Sequence, residues 1–139
     1  MECAISDNHT YFGFVMCNGS YNKGLFSLKV ITFAALLGFN VDKENVLEFL
    51  NSSVWKKNRE NIFVFVDTEK EELEAEWKKF REKIKAVAMQ KKRKIYVFVY
   101  YSGHGVTVMF NGQQMTCMVH PRYKASIESL MAVMPNVDE

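Results

Sequence analysis

Residues 102–105 read Ser-Gly-His-Gly, and they follow directly on the apolar run at 95–101. A strand that merely ends needs one turn residue. Here two glycines strip side-chain bulk from both sides of a single imidazole. Histidine is the side chain whose ordinary pKa lies nearest neutral pH, so His104 is the candidate general base. Gly105 leaves its backbone amide able to point at a developing oxyanion. The competing reading is a turn histidine held in place by its own hydrogen bonds. A base alone does no nucleophilic catalysis, because a nucleophile must supply the proton that the base accepts. The chain offers three thiols, Cys3, Cys17 and Cys117. Their odd number and the lack of a CxxC spacing argue against a disulfide framework or a zinc site, and for a reducing compartment. Cys17 ends the first apolar run and Cys117 falls in a hairpin pattern, where a free cysteine usually serves as a small buried hydrophobe. Acidic residues show no calcium-loop spacing, so neither a metal nor a cofactor is expected. His9 and His120 lie in polar segments without a partner pattern, and both are expected at the surface.

The elements that must carry His104 can be read from periodicity. YFGFVM at 11–16 reads as a strand, followed by a turn-rich stretch. An apolar helix is expected over 25–37, with Gly38 as its stop. A short helix follows at 43–51, with Val46, Leu47 and Leu50 inward, then a second strand over 61–66. Thr68 and Glu71 have capping-box spacing. Leu73, Trp77, Phe80, Ile84 and Val87 behind them form one apolar stripe, the core face of a long helix. A basic link at 90–94 leads to the third strand. TVMF, an Asn-Gly turn and QMTCMV make a candidate hairpin, and a last helix is expected over 126–134. Strands alternating with helices imply parallel pairing, right-handed crossovers and helices on both faces, an α/β/α sandwich. Strands apolar on both faces agree with that arrangement. Ligands of such sheets bind beyond the carboxyl ends of the strands, where His104 stands.

At 139 residues the chain suits one domain with a proper core. Its 48% hydrophobic content excludes a disordered class. Eighteen basic against sixteen acidic residues leave +2, which offers no global field for nucleic acid or an anionic membrane. Residues 25–39 contain Lys29 and fall short of the ~20 apolar residues a membrane helix needs. The amino terminus lacks the basic start and apolar core of a signal peptide. A cytoplasmic protein is expected.

"YVFVYYSGHGV" resembles the histidine motif of the caspase-like cysteine peptidases, the group of caspases, metacaspases and paracaspases. "FGFVMCNGSY" is similar to that family's first strand and turn, "FAALLGF" to the end of its first helix, and "ENIFVFVD" to its second strand. The resemblance runs from about Tyr11 to Pro135 and implies a mostly parallel, three-layer sandwich in a single domain over 1–139. It implies His104 as general base, Gly105 as an oxyanion donor through its amide, and Ser102 and Gly103 as shapers of the turn. The catalytic cysteine of caspases follows the histidine by ~50 residues, beyond Glu139. The expectation is therefore a domain incomplete at its carboxyl side and inactive alone, acting on a peptide or protein substrate only when completed. The alternative is a naturally short, non-catalytic scaffold that binds a protein partner or a second copy through an open sheet edge. Metacaspase-like sequences carry an acidic residue early in the first helix. Lys29 stands in that neighbourhood here, so a preference for basic substrate residues is not implied, and the substrate-binding residues are unknown.

Overall fold

The structure, a computed structural model, describes residues 8–21, 35–36, 38–90 and 93–121. Strand β1 (His9–Cys17) lies at the centre of a three-stranded sheet, flanked by β2 (Ile62–Val66) and β3 (Lys94–Ser102), and both pairings are parallel. Eight of its nine residues are buried. A strand covered on both faces cannot alternate apolar with polar, which is why HTYFGFVMC reads as a nearly unbroken apolar run. Alternation still decides which helix each residue meets. Phe12, Phe14 and Met16 face α2 (Lys70–Ala88), packing with Leu73 and Phe80, while Trp77, Ile84 and Val87 complete the cluster. Val15 and Cys17 face the other way, towards Leu50 of α1 (Phe39–Ser52). Helices therefore cover both faces, as the α/β/α reading expected, and the apolar stripe of the long helix is the core face of α2.

The α2 side is dominated by rings. Phe80 meets Phe14 at 5.0 Å between centroids and Phe12 at 5.8 Å, and Trp77 stands edge-on to Phe14 at 4.8 Å. Tilted and edge-to-face geometries of this kind add to the burial term. Before β2, a kinked 3₁₀ segment (Val54–Asn61) props the amino half of β1. The Tyr11 amide donates to Asn58 Oδ1 at 2.9 Å, and Trp55 Nε1–H donates to the Phe12 carbonyl at 3.0 Å. After β3 the chain makes a hairpin of β4 (Gly105–Phe110) and β5 (Gln113–Met118), joined by Asn111 and Gly112 at φ 49° and 75°. Two positive φ values in a row define the primed turn that matches strand twist, and Asn-Gly is the pair that adopts it at least cost.

Three expectations are corrected. Gly38 does not stop a helix but precedes α1, accepting from the Val41 and Asp42 amides. The helix expected over 25–37 lies largely outside the described residues. Ala35 and Leu36, which are described, are not helical, and the Leu36 amide donates to the Gly19 carbonyl at 2.8 Å. The Thr68–Glu71 capping box does not form. Asp67 takes a positive φ of 48°, the helix starts at Lys70, and the Thr68 hydroxyl turns back to the Val66 carbonyl. The helix expected over 126–134 lies outside the described residues.

Phe80 is fully buried and touches both large rings of β1. Phe80→Ala is expected to cost about 3–5 kcal/mol, read as a lowered urea midpoint at unchanged m-value.

Candidate active site

The carboxyl ends of the three parallel strands form one rim, and backbone bonds lock them in step. The Asn18 amide donates to the Ser102 carbonyl at 2.7 Å and the Asp67 amide to the Cys17 carbonyl at 3.0 Å. Asp67 then turns its carboxylate on the chain leaving β1. Its Oδ1 accepts from the Gly19 amide at 2.8 Å and the Ser20 amide at 3.0 Å. Aspartate tolerates the left-handed backbone this needs better than most residues, since its short polar side chain bonds locally. Gly19 is forced by space, because a Cβ there would strike the Phe39 ring.

On this rim the turn after β3 is held through its backbone. The Tyr101 hydroxyl donates to the His104 carbonyl at 2.6 Å, and the Val119 amide donates to the same carbonyl at 3.0 Å. The His104 amide donates to the Tyr21 hydroxyl oxygen at 2.8 Å, while the Tyr21 ring stands edge-on to the imidazole at 4.8 Å. Ser102 Oγ–H donates to Asp42 Oδ2 at 3.1 Å, tying the first turn of α1 to the end of β3. Both phenols are pushed up from their ordinary pKa, chiefly by burial, so they remain protonated donors. The two hydroxyls also explain Gly103. A Cβ there would sit 2.6 Å from the Tyr21 oxygen and closer still to that of Tyr101. The glycine before the histidine thus makes room for a tyrosine pair. The imidazole is half-buried at the rim.

Gly105 opens β4 and pairs with Met118. The bond from the Val119 amide to the His104 carbonyl makes this a non-hydrogen-bonded pair of the ladder. The Gly105 amide is therefore directed away from β5. His104 and Gly105 are thus brought together, with the imidazole and that amide both at the carboxyl rim.

The thiols stand differently. Cys17 lies beside Ser102 across the β1–β3 ladder, yet it is fully buried in the α1 cluster. Burial pushes its thiol up, Asp42 and Asp67 add to that, and Lys43 opposes it. A thiol so placed is a poor nucleophile. Cys117 pairs with Val106 within the hairpin, and Cys3 lies outside the described residues. Among the described residues no three His, Cys, Asp or Glu side chains are grouped to hold a metal ion, and no helix is long and apolar enough to cross a membrane.

The surface assignment of His120 is overturned. It is 3% exposed, because β5 runs on through Val119 beneath the start of α2. His120 borders a cavity of about 130 Å³ lined by Phe14, Met16, Leu73, Glu74, Trp77 and Met118. Its ring bonds to the Thr68 backbone while Nδ1 has no partner. Burial, aided by the charge of Lys70, pushes the imidazole below its ordinary pKa, against the Thr68 bond and Glu71. His9, by contrast, is half-buried beside Tyr11 and Tyr96.

The sequence reading singled out His104 and Gly105, but not the residues that hold their turn and the rim, Tyr21, Tyr101, Asp42 and Asp67. For Tyr101 and Asp67 a signal existed, since each stands at or just past the carboxyl end of a strand. Tyr21 and Asp42 reach the rim only through tertiary packing.

The family model for the caspase domain matches residues 13–132, most of the chain. This chain belongs to the caspase-domain family. The match takes in all three parallel strands from Gly13 onwards, the His104 turn and the hairpin. No curated protein and no solved structure matches the chain. As a caspase domain it carries the fold of a cysteine-peptidase family on a sheet of order β2-β1-β3.

Two outcomes follow from the rim. Gly103→Ala is expected to destabilise the domain by about 1–3 kcal/mol, with a smaller loss in a Tyr21→Phe background where one obstructing oxygen is gone. Paired urea titrations of the single and double variants measure the difference. For His120 the folded pKa is depressed, so the unfolded chain binds the proton more readily. Its contribution to stability is complete above the ordinary value of 6.5 and is lost as pH falls through the folded value. The urea midpoint should drop between pH 7.5 and 5.5, and His120→Gln should flatten that drop.

Proposed function

We propose that this caspase domain is the histidine-bearing part of a cysteine endopeptidase, whose nucleophile is supplied by sequence outside residues 1–139. In that reaction a cysteine thiol gives its proton to the His104 imidazole and its sulfur attacks the substrate carbonyl carbon. The negative charge that moves onto the carbonyl oxygen is met by the Gly105 amide. The same imidazole returns the proton to the leaving amine as the peptide bond breaks, and water then releases the acyl group from sulfur.

One observation carries this reading. His104 and an outward-facing Gly105 amide occupy the carboxyl rim of a parallel sheet in a chain of this family. The state of Cys17 supports a nucleophile from elsewhere, because a buried thiol with a raised pKa does not supply thiolate at neutral pH. The polypeptide 1–139 is accordingly proposed to have no peptidase activity alone.

A second reading, a non-catalytic binding module, is favoured by the outer edge of β3. That edge is unpaired among the described residues, and Val97 and Val99 there are 39% and 37% exposed. An open apolar edge accepts another strand.

The intact mass of the natural product separates the two. A product much heavier than 16.1 kDa that carries a cysteine-reactive site lost in His104→Ala supports the peptidase. A natural product of that mass, or labelling and cleavage unchanged by His104→Ala, refutes it.

A further inference from the structure

The net charge of +2 hides two opposed poles. Among the described residues, the carboxyl rim carries Asp42, Asp67, Glu69, Glu71 and Glu72 against Lys43 and Lys70, a net acidic end. Cations collect at the other end. The 3₁₀ segment Val54–Asn61 carries Lys56, Lys57 and Arg59 against one acid, Glu60, and β3 enters with Arg93 and Lys94. Lys56, Lys57, Arg59 and Lys94 are exposed. The bond that the Tyr11 amide donates to Asn58 pins the segment to the amino half of β1, and His9 pairs in register with Lys94. The cations of both elements therefore share one end of the sheet. Lys83 Nζ donates to the Glu60 carbonyl at 3.0 Å, bringing the last part of α2 to that end too. At about 3.3 Å per residue the stretch of β1 from Tyr11, where the 3₁₀ segment docks, to Cys17 puts roughly 20 Å between the poles, beyond a Debye length of ~8 Å at physiological salt. A merely solvated surface intersperses its charges.

An exposed ring stands in the basic end. Tyr96, on the edge strand, is 39% exposed. One face of it stacks on the buried Tyr11 at 5.2 Å and 17°, with His9 edge-on at 5.4 Å. A ring so braced keeps its orientation and offers its open side at little entropic cost. Flat aromatic surface within a cationic track is how proteins hold single-stranded nucleic acid, the bases stacking while the phosphates lie along the cations. A lipid surface would use the cations but has nothing to stack on Tyr96.

We propose that the amino end of this sheet is a binding surface for single-stranded nucleic acid, with a base on Tyr96 and phosphates along Lys56, Lys57, Arg59 and Lys94. It stands at the opposite end from His104 and does not depend on the peptidase reading.

The test uses the full chain and a fluorescein-labelled oligouridylate of about a dozen nucleotides, followed by fluorescence anisotropy across a salt series. Binding at low salt should weaken on a log–log plot with a slope of about −0.7 per phosphate engaged, reaching about −2 to −3 for three to four cations. The combined Lys56→Gln, Lys57→Gln and Arg59→Gln variant should reduce that slope by about 2. Tyr96→Ala should weaken binding by about fivefold or more, while Tyr96→Phe keeps it. Circular dichroism melts establish that each variant is folded. Absence of binding at about 50 mM salt overturns the proposal. So does binding indifferent to Tyr96→Ala in a folded protein, or a preference for phosphatidylserine vesicles over the oligonucleotide.

Discussion

Everything at the rim depends on β1 having a strand on each side and a helix on each face. Its backbone is committed to β2 and β3, and its side chains to α1 and α2. A strand so enclosed can neither slide nor turn over. A shift of one residue would exchange the whole Phe12–Phe14–Met16 set with Val15 and Cys17, whose faces have different shapes. The register is therefore stiff, and it passes to the loops through short backbone bonds at the ends of the strands. Asn18 to Ser102 and Asp67 to Cys17 carry the alignment of the sheet directly into the His104 turn.

The turn is positioned by its main chain. Carbonyl and amide of His104 are both occupied, by Tyr101, Val119 and Tyr21, so the imidazole stands on a fixed backbone with the Tyr21 ring against it. Protonated phenols are apt supports here, because they hold their hydrogen bonds across the range in which an imidazole titrates.

The parallel strands and α2 were legible in the sequence because burial on both faces and a single apolar stripe leave patterns over many residues. The turn after β3 was legible because two glycines flank the histidine there. What the pattern left out has local or tertiary causes. The start of α2 moved because Asp67 takes a left-handed backbone to bond Gly19 and Ser20, a demand set by a strand fifty residues away. Gly38 looked like a stop because glycine after an apolar run usually is one, yet it leads into α1. His120 looked exposed because proline and charged residues follow it, and only the path of β5 beneath α2 buries it. Gly103 was noticed for the right position, but its cause, two phenol oxygens, lies in the fold.

Cys17 gives the domain an internal reporter. Its sulfur is sealed beneath α1, one strand from the end of β3, and is protonated at rest. An alkylating reagent can reach it only during moments when α1 lifts from the sheet. The rate of its modification therefore counts those openings directly, and it would slow whenever anything seated at the rim holds α1 closed.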